Sequence, residues 1–104
     1  MIIIAKWTLA ILLLGSLGTV FASEGRNVYK QTCAVCHSVD VPDAPRLGRI
    51  ADWKSRLLIG RKGLLRSVLN GHGAMPPKGG DASLSDAEAE AALDYMLSMI
   101  SSPR

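Results

Sequence analysis

The segment "TCAVCHSVD", Thr32 to Asp40, holds the chain's only two cysteines, Cys33 and Cys36, and His37 follows the second directly. Two thiols at this spacing beside an imidazole support three chemistries: a redox dithiol, part of a zinc site, and covalent attachment of haem. The choice constrains the fold. A domain this small rarely builds a sufficient core unaided and usually depends on a disulfide, a metal or another staple. A Cys33–Cys36 bridge would close only a tiny loop and restrict the unfolded chain little. The staple is therefore expected to be something that the motif binds.

The compartment narrows the choice. The chain opens "MIIIAKWTLAILLLGSLGTVFASEG", with one basic residue, Lys6, an apolar run from Trp7, and then small residues. Val20 and Ala22 stand three residues and one residue before the Ser23 junction, the small-residue pattern that a signal peptidase reads. Residues 1–22 are expected to be a cleaved signal peptide, leaving residues 23–104 as one small domain. The alternative is an uncleaved membrane anchor. The uncharged run from Trp7 to Ala22 is shorter than the roughly 20 residues of a spanning helix. Cleavage removes Lys6 alone among the twelve basic residues, so eleven remain against nine acids and the net charge falls from +3 to +2. That modest charge and the export signal argue against nucleic acid as a partner.

Helical signals dominate the rest. A first helix is expected from about Arg26 to Cys33, with Val28, Tyr29 and Thr32 facing inward. "VDVPDAPRLG" contains Pro42 and Pro45 and reads as an extended loop. "IADWKSRLLIG" reads as a short helix stopped by Gly60. "RKGLLRSVLNG" is another, with Leu64, Leu65, Val68 and Leu69 on its apolar face and Asn70-Gly71 as its stop. "HGAMPPKGGDA" is loop. In "LSDAEAEAALDYMLSMI", Ser85 and Glu88 make a capping box, and Ala89, Leu93, Met96 and Ile100 share one face, with Ala92 and Tyr95 beside it. No segment alternates as a strand does. The fold class is all-α, about four short helices with long loops.

This pattern bears on the three chemistries. A thioredoxin-like dithiol needs a strand–helix context, which is lacking. Zinc takes about four ligands. Cys33, Cys36, His37 and His72 suffice in number, but adjacent Cys36 and His37 form a strained pair on one tetrahedral ion. Cys-x-x-Cys-His is the attachment signature of c-type haem. Thiols one helical turn apart can reach the two vinyl groups of one porphyrin, and His37 can then bind the iron as the proximal ligand. The haem would be the missing core. For the opposite face of the iron, Met96 and Met99 lie in the last helix, where a methionine ordinarily fills a gap in packing. Met75 instead sits in "GHGAMPPKGG", held extended by Pro76 and stiffened further by Pro77. It is the expected sixth ligand. His72 reads as an exposed loop histidine and is the natural substitute.

With these residues in view, the chain resembles the small class I cytochromes c, and within them the cytochrome c5 family. "NVYKQTCAVCHSVDVPDAPRLG" is similar to their first helix, haem site and proline loop, "NGHGAMPPKGG" to their methionine loop, and "LSDAEAEAALDYM" to their closing helix. The order of these motifs is the family's own. The resemblance implies that residues 23–104 are a cytochrome c domain wrapped around one covalent haem c. Cys33 and Cys36 would hold it by thioethers, and His37 and Met75 would be its axial ligands. It also implies that the Pro45 carbonyl accepts a hydrogen bond from His37 and that Tyr95 packs near Gly25 and Tyr29. Trp53 would donate its indole N–H to a haem propionate, with Arg56 nearby, or else simply pack in the core. The extra cysteine pair of several relatives is absent, and His72 stands where relatives often have lysine.

The expected function is that of an exported, periplasmic electron carrier in a respiratory chain, and not an enzyme. Two alternatives stay open: a haem subunit of a larger oxidoreductase, and a ligand sensor or peroxidase if Met75 is displaced. Between Val41 and Lys78 eight basic residues (Arg46, Arg49, Lys54, Arg56, Arg61, Lys62, Arg66, Lys78) face only Asp43 and Asp52, whereas the chain after Gly80 is acidic. Such asymmetry can orient an encounter, so redox partners with an acidic docking face are expected. An ordinary solvated surface is the plainer reading. No stable membrane insertion is expected once the leader is removed.

Overall fold

The computed structural model describes residues 23–101. The expected signal-peptide cleavage lies outside the described residues. Helix α1 comprises helical residues 23–28, a π-helical segment Tyr29–Cys33 and an α-helical turn Ala34–His37. It thus begins before Arg26 and runs on past Cys33 through the whole motif. "CAVCH" holds no glycine or proline to stop it, and alanine is the best helix former. The Ala34 N–H bonds to the Tyr29 carbonyl five residues back, the wide turn that recurs at functional sites. The helix ends where the Ser38 N–H and hydroxyl both turn back to the Ala34 carbonyl.

The proline loop then leads to α2, Ile50–Leu57. A short turn reaches Gly60, whose φ of 84° marks the expected stop, and α3, Gly60–Asn70, starts there. Gly71 ends α3 in the left-handed region. The methionine loop and a 3-10 turn, Pro77–Gly80, follow, and α4, Asp86–Ser101, closes the chain. Both halves of its capping box form. The Ser85 hydroxyl accepts from the Glu88 N–H at 3.0 Å, and the Glu88 carboxylate accepts from the Ser85 N–H at 2.8 Å. Among the described residues the only extended pairing is a single bridge between His72 and Met75, so the architecture is all-α.

The core forms where α1 crosses α4. Gly25 is the contact point. A Cβ there would lie 2.3 Å from the Ala91 carbonyl oxygen and 3.4 Å from Tyr95 Cβ, so only glycine admits this approach. One turn on, the Tyr29 and Tyr95 rings meet at 5.4 Å, as expected. Ala89, Ala92, Leu93 and Met96 are buried, and Met96 packs with Tyr29 and Trp53, which is the packing role expected of it. Arg61 ties α3 to α4 at the surface, donating to Asp94 at 2.8 and 2.9 Å and to Glu90 at 2.6 Å.

Candidate functional site

The motif sits on the last turns of α1. Cys33 and Cys36 are three residues apart on a helical turn and therefore share a face. Both are free thiols, Cys33 half-buried and Cys36 exposed. Burial pushes the Cys33 thiol up, the reverse of the lowered thiol that a reactive dithiol uses. Among the described residues no three His, Cys, Asp or Glu side chains are grouped to hold a metal ion. His72 is therefore not brought to the cysteines, and the four-ligand zinc arrangement does not assemble.

His37 closes α1 with its ring fixed from two sides. Its Nδ1 donates to the Pro45 carbonyl at 2.7 Å. A carbonyl only accepts, so the proton sits on Nδ1 and the lone pair on Nε2. The Trp53 ring lies alongside, centroids 6.4 Å apart and planes 28° apart. The Leu47 N–H returns to the His37 carbonyl at 2.7 Å, drawing the loop over the helix end.

Trp53 and Arg56, the residues expected near a haem propionate, find hydrogen-bond partners within the chain. The Trp53 indole N–H donates to the Arg46 carbonyl at 3.0 Å. Arg56 donates to the carbonyls of Asp52 and Asp43 at 2.6 and 2.9 Å. The cause is the proline loop. Its irregular backbone leaves acceptor capacity on its carbonyls: the half-buried Arg56 guanidinium reaches that of Asp43, and the buried indole N–H joins the Arg49 N–H on that of Arg46. Both residues therefore fasten the loop that carries Pro45.

Met75 occupies a different kind of frame. His72 and Met75 exchange both backbone hydrogen bonds, at 3.0 and 2.9 Å, across a two-residue turn. Gly73 takes its first central position with φ 56°, where a type II′ turn calls for glycine. A Cβ on Gly71 would stand 2.9 Å from the Met75 carbonyl oxygen and 3.2 Å from Pro77. Met75 is half-buried, whereas His72 is exposed. Downstream, Lys78 adopts a left-handed backbone, φ 54°, and its Nζ donates to the Leu84 carbonyl at 2.7 Å and pairs with Asp86 at 2.9 Å. The side chain is only 20% exposed. It bolts the methionine loop to the start of α4. No sequence signal marked this role.

Known proteins share this plan. Residues 21–96 match the family model described as cytochrome c oxidase, cbb3-type, subunit III. Cytochrome c-555 of Chlorobaculum tepidum is 35% identical over 92 residues, covering 85% of this chain and 85% of that protein. Cytochrome c5 of Azotobacter vinelandii is 42% identical over 77 residues, covering 72% of this chain and 93% of that protein. The chain belongs to the class I c-type cytochromes. A chain in the crystal structure of an electron-transfer complex of nitrite reductase with cytochrome c superposes on this cytochrome with a TM-score of 0.68. It is 42% identical and covers 74% of this chain and 94% of that one.

The cytochrome's cofactor is therefore covalent haem c, and its function is to carry electrons between redox proteins. The donor set fits that group: two unpaired thiols one turn apart, an imidazole with its Nε2 lone pair presented, and a thioether on a shaped loop. The fold also revises the charge reading. Arg46 and Arg49 pair with Asp40, Arg49 also with Asp52, Arg61 with Glu90 and Asp94, and Lys78 with Asp86. Of the eight basic residues, Lys54, Arg56, Lys62 and Arg66 have no carboxylate partner among the described residues, and Arg56 is held by backbone carbonyls. No described helix is long and apolar enough to cross a membrane.

Proposed function

We propose that the cytochrome is an exported one-electron shuttle and not an enzyme. Cys33 and Cys36 would anchor the haem, and His37 and Met75 would bind its iron. The observation that carries this reading is the 2.7 Å bond from His37 Nδ1 to the Pro45 carbonyl. It fixes the tautomer and aims Nε2, as in metal-binding histidines generally. With both axial positions filled, no site remains for a substrate. The haem, when bound, supplies a reversible one-electron couple, and histidine–methionine ligation raises its potential. Pro45 orients His37, and the glycine-framed turn presents the Met75 thioether. Residues 1–22 are the cleaved signal peptide, and the protein works in the periplasm.

The test is the visible spectrum of the mature protein, made with c-type maturation machinery. Sharp reduced bands of low-spin haem c, with the weak far-red band of a methionine–ferric bond, are expected. Haem c without the far-red band would overturn Met75 and favour His72 or an open iron. Fast carbon monoxide binding to the reduced protein would mark the sensor or peroxidase reading.

Docking uses an acidic face on the partner. Lys54 of α2 and Lys62 and Arg66 of α3, the last two one helical turn apart, supply the unpaired positive charge. Electron-transfer rate should fall with ionic strength, and a flat profile would sink the steering idea. One observation favours a second reading. The matching family model is described as an oxidase subunit, so permanent attachment to a larger oxidoreductase competes with free shuttling. The likeness to small cytochromes, which takes in 85% and 93% of the two relatives' own lengths, favours the shuttle. A stable co-purifying complex would reverse that preference.

A further inference from the structure

One residue of the proline loop, Arg46, is held at both of its backbone groups by α2. Its carbonyl accepts the Trp53 indole N–H at 3.0 Å, beside the N–H of Arg49 at the start of α2 at 3.1 Å, and its N–H donates to the Asp52 carboxylate at 3.1 Å. Arg46 stands between the two loop residues that grip His37. Pro45 accepts from the imidazole Nδ1, and Leu47 donates to the His37 carbonyl. Adjacent residues on α2 therefore pin the midpoint of a three-residue span whose two ends bind the histidine. Trp53 adds a direct wall, its ring alongside the imidazole and only 3% exposed.

We infer that Asp52 and Trp53 are positioning residues for the proximal imidazole: acting through Arg46, they set the strength of the His37–Pro45 hydrogen bond and with it the reduction potential. The inference rests on the reading of His37 as axial ligand. The chemistry follows from charge donation. A strong bond from Nδ1–H to a carbonyl makes Nε2 a better donor. A better donor stabilises ferric iron more than ferrous, which lowers the potential. If Arg46 is released, the Pro45 carbonyl drifts, the bond weakens and the potential rises. A hydrogen bond in this buried setting is sensitive to small displacements, because its strength falls steeply with poor geometry. The packing alternative makes a different forecast. If Trp53 is only core, removing its N–H while keeping its ring should change stability and nothing at the iron.

The experiment uses the haem-loaded protein and three variants. W53F keeps an aromatic ring beside His37 and deletes the donor to Arg46. D52A and D52N both remove the same charge from a half-buried position, but the asparagine oxygen can still accept from the Arg46 N–H. The difference between these two therefore reads the hydrogen bond free of the charge. The readouts are the midpoint potential and, by proton NMR of the reduced protein, the solvent-exchange rate of the His37 Nδ1 proton.

W53F should exchange that proton about tenfold faster or more. Its potential should rise by the equivalent of a three- to tenfold shift in the oxidation equilibrium, roughly 30–60 mV for one electron. D52A should exchange faster than D52N, which should stay close to wild type. The inference is overturned if W53F loses stability while its potential and exchange rate stay at wild-type values, or if D52A and D52N exchange alike. Failure of the underlying ligand reading would be visible separately, as an abnormal spectrum in the wild-type protein before any variant is made, and would remove the inference with it.

Discussion

The two sides of the candidate haem site are built by different means. The proximal side is a lattice of hydrogen bonds between distinct elements. His37 at the end of α1, Pro45 to Leu47 in the loop, and Trp53 in α2 hold one another, with a buried aromatic ring as backing. The distal side relies on what the backbone itself permits: a two-residue turn, glycines at φ 86° and 56° flanking His72, and two prolines. Among the described residues, the side chain that ties it to the start of α4 is Lys78. A lattice shares a perturbation among several partners. A backbone frame has little redundancy, since one added methyl meets a neighbouring carbonyl. The proximal ligand should therefore be graded in its response to mutation, and the distal ligand closer to all or none.

The largest expected effect tests the distal side outright. Met75→Leu should abolish the far-red band, admit carbon monoxide to the reduced iron and lower the potential by more than about 60 mV, a tenfold shift in equilibrium. Spectroscopy and potentiometry read all three. Retention of the far-red band would show that the thioether comes from elsewhere.

Gly71→Ala asks whether the frame alone holds the ligand. It places a methyl 2.9 Å from the Met75 carbonyl oxygen at a backbone angle unfavourable to alanine. A loss of about 1–3 kcal/mol is expected, with partial loss of the far-red band and an unchanged exchange rate for the His37 Nδ1 proton. Denaturant melts and the same NMR measurement check it. Simultaneous loosening of His37 would show that the two sides are not independent.

Lys78→Met removes this bolt to α4. The cost should be about 1 kcal/mol, the usual net value of one hydrogen bond. The exposed half of the contact, to Asp86, should add little. The far-red band should survive at neutral pH, and urea melts should show the small loss.

Tyr29→Phe is the mildest and carries a sign. The Tyr29 hydroxyl is buried without a hydrogen-bond partner, so its removal should be neutral or stabilising, up to about 1 kcal/mol. Burial, with a lesser contribution from Tyr95, raises its ionisation above the ordinary 10.0. Folding thus favours the protonated phenol. That contribution is complete below pH 10 and is lost as pH rises through the higher folded value. The variant should lose less stability than wild type between pH 10 and 11, read by alkaline melts.

Legibility in the sequence followed the range of the interactions. Local signals were reliable: the Ser85–Glu88 box, the stops at Gly60 and Gly71, and the packing role of Met96. The His37–Pro45 bond came from likeness to a family, since nothing in the spacing of the two residues demands it. The course of α1 through the motif was missed, because a haem signature reads as a boundary whereas "CAVCH" holds no glycine or proline to stop a helix already under way. The partners of Trp53 and Arg56 were missed for another reason. Their acceptors are backbone carbonyls, two in a loop and one in α2, and every residue offers one, so composition cannot say which is taken. Charge counting overstated the basic face, because pairing is decided only when chain segments such as Arg61 and Asp94 come together.

The Gly25–Ala91 contact joins the first and last helices, and this has a consequence in time. Most of the domain's length must be in place before that knuckle can shut, and such long-range closure is the slow step of a small fold. Until it does, Tyr29 has no Tyr95 to pack against, and α1 is held chiefly by its own turns. A glycine remote from the motif thus governs when the helix that carries Cys33 and Cys36 is locked against the rest of the domain.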